Sequence, residues 1–193
     1  MDLRAIAPNG VNRLQLFGLW GTAQKGDYEM NSMNDLFLSF LQDMYYAERQ
    51  ILKALPKMAK AAENQELRQA LTHHREETQA QVDRLQQVFD HLGKRARGQT
   101  CEALNGIVEE GDEVIEEFDK GVVRDTGILA NAQAVEHYEM ARYGTMIAWA
   151  KACGMQDVAK LLQETLDEEK KADTLLNQIA NKSLNQQAAR QAA

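Results

Sequence analysis

The sequence predicts an all-α protein: a four-helix bundle of long helices, with a further short helix in the crossover between its second and third members. Three observations point there. Apolar residues recur at spacings of three and four along nearly everything after residue 30, the period of one helical face. Strand-like alternation never survives for more than a few residues, and the 193-residue chain holds only two prolines. Each of the four long stripes also carries one glutamate where an apolar side chain belongs.

Residues 1–30 read as a flexible extension, glycine-rich and without a helical stripe. Their greasy patch from Leu14 to Trp20 offers Leu16, Phe17 and Trp20 for docking but no chemistry. The bundle domain spans residues 31–182. Asn31 or Ser32 caps the first helix, which runs to about Ala62. Its stripe is Phe37, Leu41, Met44, Glu48, Ile51, Leu55 and Met58. Pro56 removes the hydrogen bond to the Leu52 carbonyl and predicts a kink.

A polar turn, Glu63, Asn64 and Gln65, leads to the second helix, about Glu66 to Leu92, closed by Gly93. Glu77 lies on it among Ala70, His74, Gln81 and Val88. Lys94, Arg95 and Arg97 form a solvated basic loop. Thr100 caps the third helix, with a stripe of Leu104, Ile107, Val108, Val114, Ile115 and Phe118. Its other side, Glu109, Glu110, Asp112, Glu113, Glu116 and Glu117, is a solvated face. Gly121 ends that helix.

Asp125 caps the fourth helix, about Thr126 to Cys153, which Gly154 stops. Glu136 sits on it among Leu129, Ala132, Met140, Tyr143 and Ile147. The fifth helix runs from about Gln156 to Lys182, with Glu169 among Leu162, Leu166, Ala172, Leu176 and Ile179. The polar tail, 183–193, frays. A weak repeat relates the halves: Glu48 then Glu76-Glu77-x-x-Ala80-Gln81 parallels Glu136 then Glu168-Glu169-x-x-Ala172-Asp173. The first and second helices, and the fourth and fifth, then form two pseudo-equivalent hairpins.

Composition narrows the function classes. A net charge of −7, with no basic cluster beyond Lys94–Arg97, argues against nucleic acid and anionic membranes as partners. No run approaches the ~20 apolar residues of a membrane span. Cys101 and Cys153 are isolated, without metal or redox spacing. They read as reduced thiols, and with no secretory signal the expected location is cytoplasmic.

Buried carboxylates are costly unless paired, protonated or bound to metal. One inward acid from each of four helices, Glu48, Glu77, Glu136 and Glu169, is the arrangement that holds a pair of metal ions in a bundle. Hard divalent ions prefer such oxygen ligands, and bridging carboxylates offset the repulsion between two of them. Two iron ions are the expected cofactor; manganese accepts the same ligand set. A hydrogen-bonded acid network without metal is the other reading. His74, Gln81, Glu139 and Asp173 are further candidates to ligate or to brace ligands. Tyr45, Tyr46, Tyr138 and Tyr143 flank the acids and either hydrogen-bond to them or simply pack. His73 and His91 read as surface residues, and His137 as part of a helix contact.

Several segments carry a resemblance: Asp43-Met-Tyr-Tyr-Ala-Glu-Arg-Gln50, His74-Arg-Glu-Glu-Thr78, Val135-Glu-His-Tyr-Glu139 with Arg142-Tyr-Gly-Thr145, and Thr165-Leu-Asp-Glu-Glu169 with Asp173. Together these resemble the YciE/YciF family of bacterial stress-associated proteins, over roughly Met33 to Lys182. The resemblance implies a ferritin-like bundle, a homodimer and a di-iron site. One departure stands out. The broader ferritin-like pattern places Glu-x-x-His on two helices, whereas this chain has His74-x-x-Glu77 and no histidine on the fifth helix. Gln81 and Asp173 stand near where histidines would follow Glu77 and Glu169.

Three functions compete. The first is a stress-response di-iron protein that oxidises Fe(II) or removes peroxide, with dioxygen or peroxide as its small-molecule substrate. The second is a non-catalytic structural or interaction protein with a vestigial or mononuclear metal site. The third, an oxygenase or catalase acting on a small molecule, requires an open pocket beside the metals.

Overall fold

The computed structural model describes residues 32–191, and all the regular structure among them is helical. The expected extension at 1–30, with its Leu14–Trp20 patch, lies outside the described residues. The first helix, α1, spans Met33–Ala61. Ser32 caps it through a reciprocal pair: its hydroxyl accepts from Asp35 N, while the Asp35 carboxylate accepts from Ser32 N. Pro56 lies inside this helix, and α1 continues beyond it to Ala61.

Helix α2, Gln65–His91, starts after a short turn and is capped by the Asn64 side chain, which accepts from Leu67 N. Gly93 closes it with a φ of 63°, a left-handed conformation that glycine adopts without a Cβ clash. Helices α1 and α2 pack together, as do α4 (Val122–Ala152) and α5 (Gln156–Ile179). These two hairpins meet through α2 with α5 and α1 with α4, giving a four-helix bundle. Helix α3, Glu102–Glu117, fills the crossover and lies against α4 and α1.

The expected stripe of α1 is the observed core: Phe37, Leu41, Met44, Ile51, Leu55 and Met58 are all buried. Helix α3 is less covered. Of its expected stripe Leu104 is buried, Ile107, Val108, Val114 and Ile115 are half-buried, and Phe118 is exposed. The acids Glu109, Glu110, Glu113, Glu116 and Glu117 do face solvent, and Asp112 is half-buried.

Three expected ends move. Cys101, not Thr100, precedes α3 and makes no side-chain cap. Helix α4 starts at Val122, so Asp125 lies in its first turn rather than at its cap. The Asp125 carboxylate instead accepts from Glu63 N at 2.9 Å and Asn64 N at 2.6 Å. It thereby satisfies the turn between α1 and α2, a demand local sequence does not reveal. Finally, the fifth helix does not stop near Lys182. A π-helical segment, Ala180–Leu184, leads into a short α6, Asn185–Gln191, and this extension packs on α4 with Leu184 buried.

Candidate metal centre

The bundle core contains a polar group drawn from its four long helices. Glu48 comes from α1, His74 and Gln81 from α2, Glu136 and Glu139 from α4, and Glu169 from α5. Glu48, Gln81, Glu139 and Glu169 are 0% exposed, Glu136 2% and His74 5%, depths at which charged side chains are rarely found without a partner. One potential ligand atom from each of His74, Glu136, Glu139 and Glu169 lies within 4.8 Å of the others. His74 Nε2 is 3.3 Å from Glu136 Oε1 and 3.8 Å from Glu169 Oε2. Glu48 adjoins Glu139 and Glu169 and so extends the group toward α1.

Of the four glutamates singled out by spacing, Glu48, Glu136 and Glu169 are buried in this group, and Glu77 touches it from its edge through His74. Its side chain is 26% exposed, 3.5 Å from His74 Nδ1 and 3.6 Å from His73 Nε2. The reason is helical phase. The inward face of α2 runs through Leu71, His74, Thr78, Gln81 and Leu85, and Glu77 stands one residue, about 100°, off that line. Three of those five inward residues are polar, so the apolar stripe alone misplaces the face. Glu139 takes the fourth acidic place. Its signal was readable: Glu136 and Glu139 stand one turn apart on α4, in phase with Tyr143. Asp173 also stays outside, where it meets His137 Nε2 and the Gln133 amide, each at 3.2 Å.

Neighbours orient the acids. Tyr143, fully buried, donates to Glu48 Oε1. The Gln81 amide donates to Glu169 Oε1 and, at 3.1 Å, to Glu168 Oε2. Arg84 grips Glu168 with two bonds of 3.0 and 2.8 Å and donates to Thr165 at 2.6 Å, bracing α2 against α5. Tyr45, Tyr46 and Tyr138, the other tyrosines expected to flank the acids, serve elsewhere. Tyr45 accepts from Gln86 and packs edge-on against Phe89, Tyr46 donates to Asn105, and Tyr138 lies 2.8 Å from Cys101 Sγ.

Burial pushes the Glu48 carboxyl up to about 8, helped by the Glu169 charge and opposed by the hydrogen bond from Tyr143. Burial likewise raises Glu136 and Glu139 well above the carboxylate range, where the facing acids push them further, and raises Glu169 from its ordinary value against the contacts with Glu136 and His74. Glu77 moves the other way, held low by its contact with His74 against a smaller effect of burial. The donors suit a metal. Glu48 Oε2, both His74 nitrogens, Gln81 Oε1, Glu136 Oε2, both Glu139 oxygens and Glu169 Oε2 are buried without a hydrogen-bond partner. Buried polar atoms are normally satisfied, and this concentration of donors is one that could hold a metal ion.

Two narrow cavities reach the group. One, lined by Ile51, Leu55, Met58, Val108, Ala132 and Val135 among others, ends at His74 and Glu136 and offers about 10 Å³, close to the minimum for one water. The other, about 20 Å³, passes between α2 and α5 beside His73 and Glu77 and reaches the same two residues.

A family model described as a domain of unknown function, DUF892, matches residues 32–189. The chain belongs to the DUF892 family. Protein YciF of Escherichia coli K12 is 42% identical over 160 residues, covering 82% of this chain and 96% of YciF. The crystal structure of YciF, described as a stress protein, superposes with a TM-score of 0.78 at 43% identity, covering 81% of this chain and 99% of that one. YcfI of Rhodopseudomonas palustris, described as a candidate structural protein, gives 0.77 at 51% identity, covering 79% and 97%. The family resemblance read from the four segments therefore holds, as does the helical bundle. No helix among the described residues is long and apolar enough to cross a membrane.

Proposed function

We propose that this DUF892 chain is a ferritin-like stress-response protein that binds two divalent metal ions, iron in the first place and manganese as an alternative, at Glu48, His74, Glu136, Glu139 and Glu169. The observation that carries this reading is the set of buried, unpartnered oxygen and nitrogen donors from four helices. Four carboxylates would balance two divalent charges. Bound ferrous ions would supply the electrons for reducing dioxygen or peroxide, themselves becoming ferric. Around them the chain's own residues hold ligands in place: Tyr143 fixes Glu48, and Gln81 fixes Glu169. The apolar cavity beside His74 and Glu136 suits a substrate the size of dioxygen or peroxide. An oxygenase acting on a larger organic molecule draws no support from a space near one water in volume.

The second reading, a non-catalytic structural protein stapled by metal, draws support from the description of YcfI. Two measurements separate these. Anaerobic Fe(II) titration with elemental analysis should approach two metals per chain; fewer than one would reject the site. Fe(II)-loaded protein mixed with dioxygen, then with peroxide, should develop ferric absorbance faster than Glu48→Ala. Equal rates would leave the structural reading standing. A homodimer in the cytoplasm completes the proposal, with sedimentation as its check.

A further inference from the structure

The proposed centre lies out of reach of solvent, so a cation needs a way in, and one face of the bundle provides donor atoms in sequence. His73 is 67% exposed, and its Nε2 is 3.6 Å from Glu77 Oε1. Glu77 Oε2 is 3.5 Å from His74 Nδ1. On the far side of the same imidazole, Nε2 is 3.3 Å from Glu136 Oε1 and 3.8 Å from Glu169 Oε2. Side-chain exposure along this row falls from 67% to 26%, 6%, 3% and 0%. The second cavity follows the same line, and its remaining walls are Ala70, Leu71, Ala172, Leu175 and Leu176. The side chains of those walls offer a cation no other oxygen or nitrogen.

We infer that this passage between α2 and α5 is the intake route for divalent metal, with His73 and Glu77 as the receiving pair and His74 as the handover residue into the buried acids. The inference rests on the metal-binding reading above. A surface acid beside a histidine would not justify it alone. What decides is His74, nine-tenths buried, which lines this passage with neither ring nitrogen hydrogen-bonded and each facing a carboxylate oxygen, Nδ1 toward Glu77 and Nε2 toward Glu136. Glu77, 26% exposed where Glu136 and Glu169 are 3% and 0% exposed, is the first carboxylate met inside the mouth. Its displacement from the cluster then has a use: a carboxylate bound permanently to a metal could not also receive the next one. The other cavity also carries Asp112 and Asn131 on its wall, but Asp112 is already paired with Lys57 at 2.8 Å and Asn131 is tied to the Ile107 carbonyl, so no free acid leads inward there.

The test follows uptake rather than turnover. Apo protein is mixed with Co(II), and protein-bound cobalt is read by its visible absorbance in a stopped flow, then counted at equilibrium. Glu77→Gln keeps shape but loses the anion, and should slow uptake about tenfold, the low end of what electrostatic steering contributes, with unchanged final stoichiometry. Ala172→Leu narrows the passage without altering charge and should also slow uptake. Glu113→Gln, on the solvated face of α3, should match wild type, and circular dichroism confirms that each variant is folded. Wild-type uptake rates in both Glu77→Gln and Ala172→Leu would overturn the route. Loss of bound cobalt at equilibrium in Glu77→Gln would overturn it differently, by making Glu77 a ligand. A wild-type chain that binds no cobalt would instead overturn the metal-binding reading beneath it.

Discussion

Two glutamates on neighbouring helices carry opposite expectations. Glu139 is fully buried among other acids with both oxygens unpartnered, and Glu113 faces solvent on α3. Glu139→Ala and Glu136→Ala should each lose at least one bound metal, read by elemental analysis, while retaining helicity, because removing one acid relieves repulsion among the rest. Glu113→Ala should leave metal content intact and shift stability by no more than about 0.5 kcal/mol; similar behaviour in all three would mean the faces are misassigned. Proton linkage gives a second expectation. Glu48 moves from 4.5 to about 8 on folding, so between those values the folded metal-free chain holds more protons than the unfolded one. Stability therefore declines as pH rises across that window and levels off above it. Thermal melts of chelator-treated protein should show this slope, and Glu48→Gln should lessen it while Glu136 and Glu139, also raised, keep a part; a wild-type profile that rises with pH would contradict the burial of Glu48.

At the scale of elements, the seam between α3 and α4 is set by small residues. A Cβ at Gly111 would collide with Asn131, whose Nδ2 donates to the Ile107 carbonyl at 2.7 Å. A Cβ at Gly127 would come within 2.6 Å of Val114 Cγ1. Gly111→Ala should cost about 1–3 kcal/mol, the usual range for overpacking, measured by urea denaturation; an unchanged midpoint would show that α3 can shift freely. Legibility differed among elements for physical reasons. The α1 stripe was clear because every inward residue except Glu48 is apolar or small, which also located Glu48 correctly. On α2, the polar His74, Thr78 and Gln81 occupy the inward face, so the set Ala70, His74, Gln81 and Val88 straddles that face and its edge, where Glu77 lies. The start of α4 was misplaced because Asp125 answers a turn some sixty residues away, a partnership no local pattern encodes.

Taken whole, the molecule draws its candidate ligands from α1, α2, α4 and α5, so a bound ion would tie both hairpins together. Binding to the folded chain alone should raise stability by about 2.7 kcal/mol at a hundredfold excess over Kd. Differential scanning calorimetry with and without Fe(II) or Mn(II) tests this, and the chelated protein should melt lower. A melting temperature indifferent to metal in the wild type would argue that the acids are an internal hydrogen-bonded network. The Asp125 carboxylate has a consequence of its own. It sits on the second hairpin yet closes the bend of the first, so the two repeats are no longer interchangeable copies. A chain cut in the 93–101 loop should yield two fragments that reassociate in one orientation, and two copies of the first fragment should not substitute for the pair, because that bend would then have no carboxylate to meet its amides.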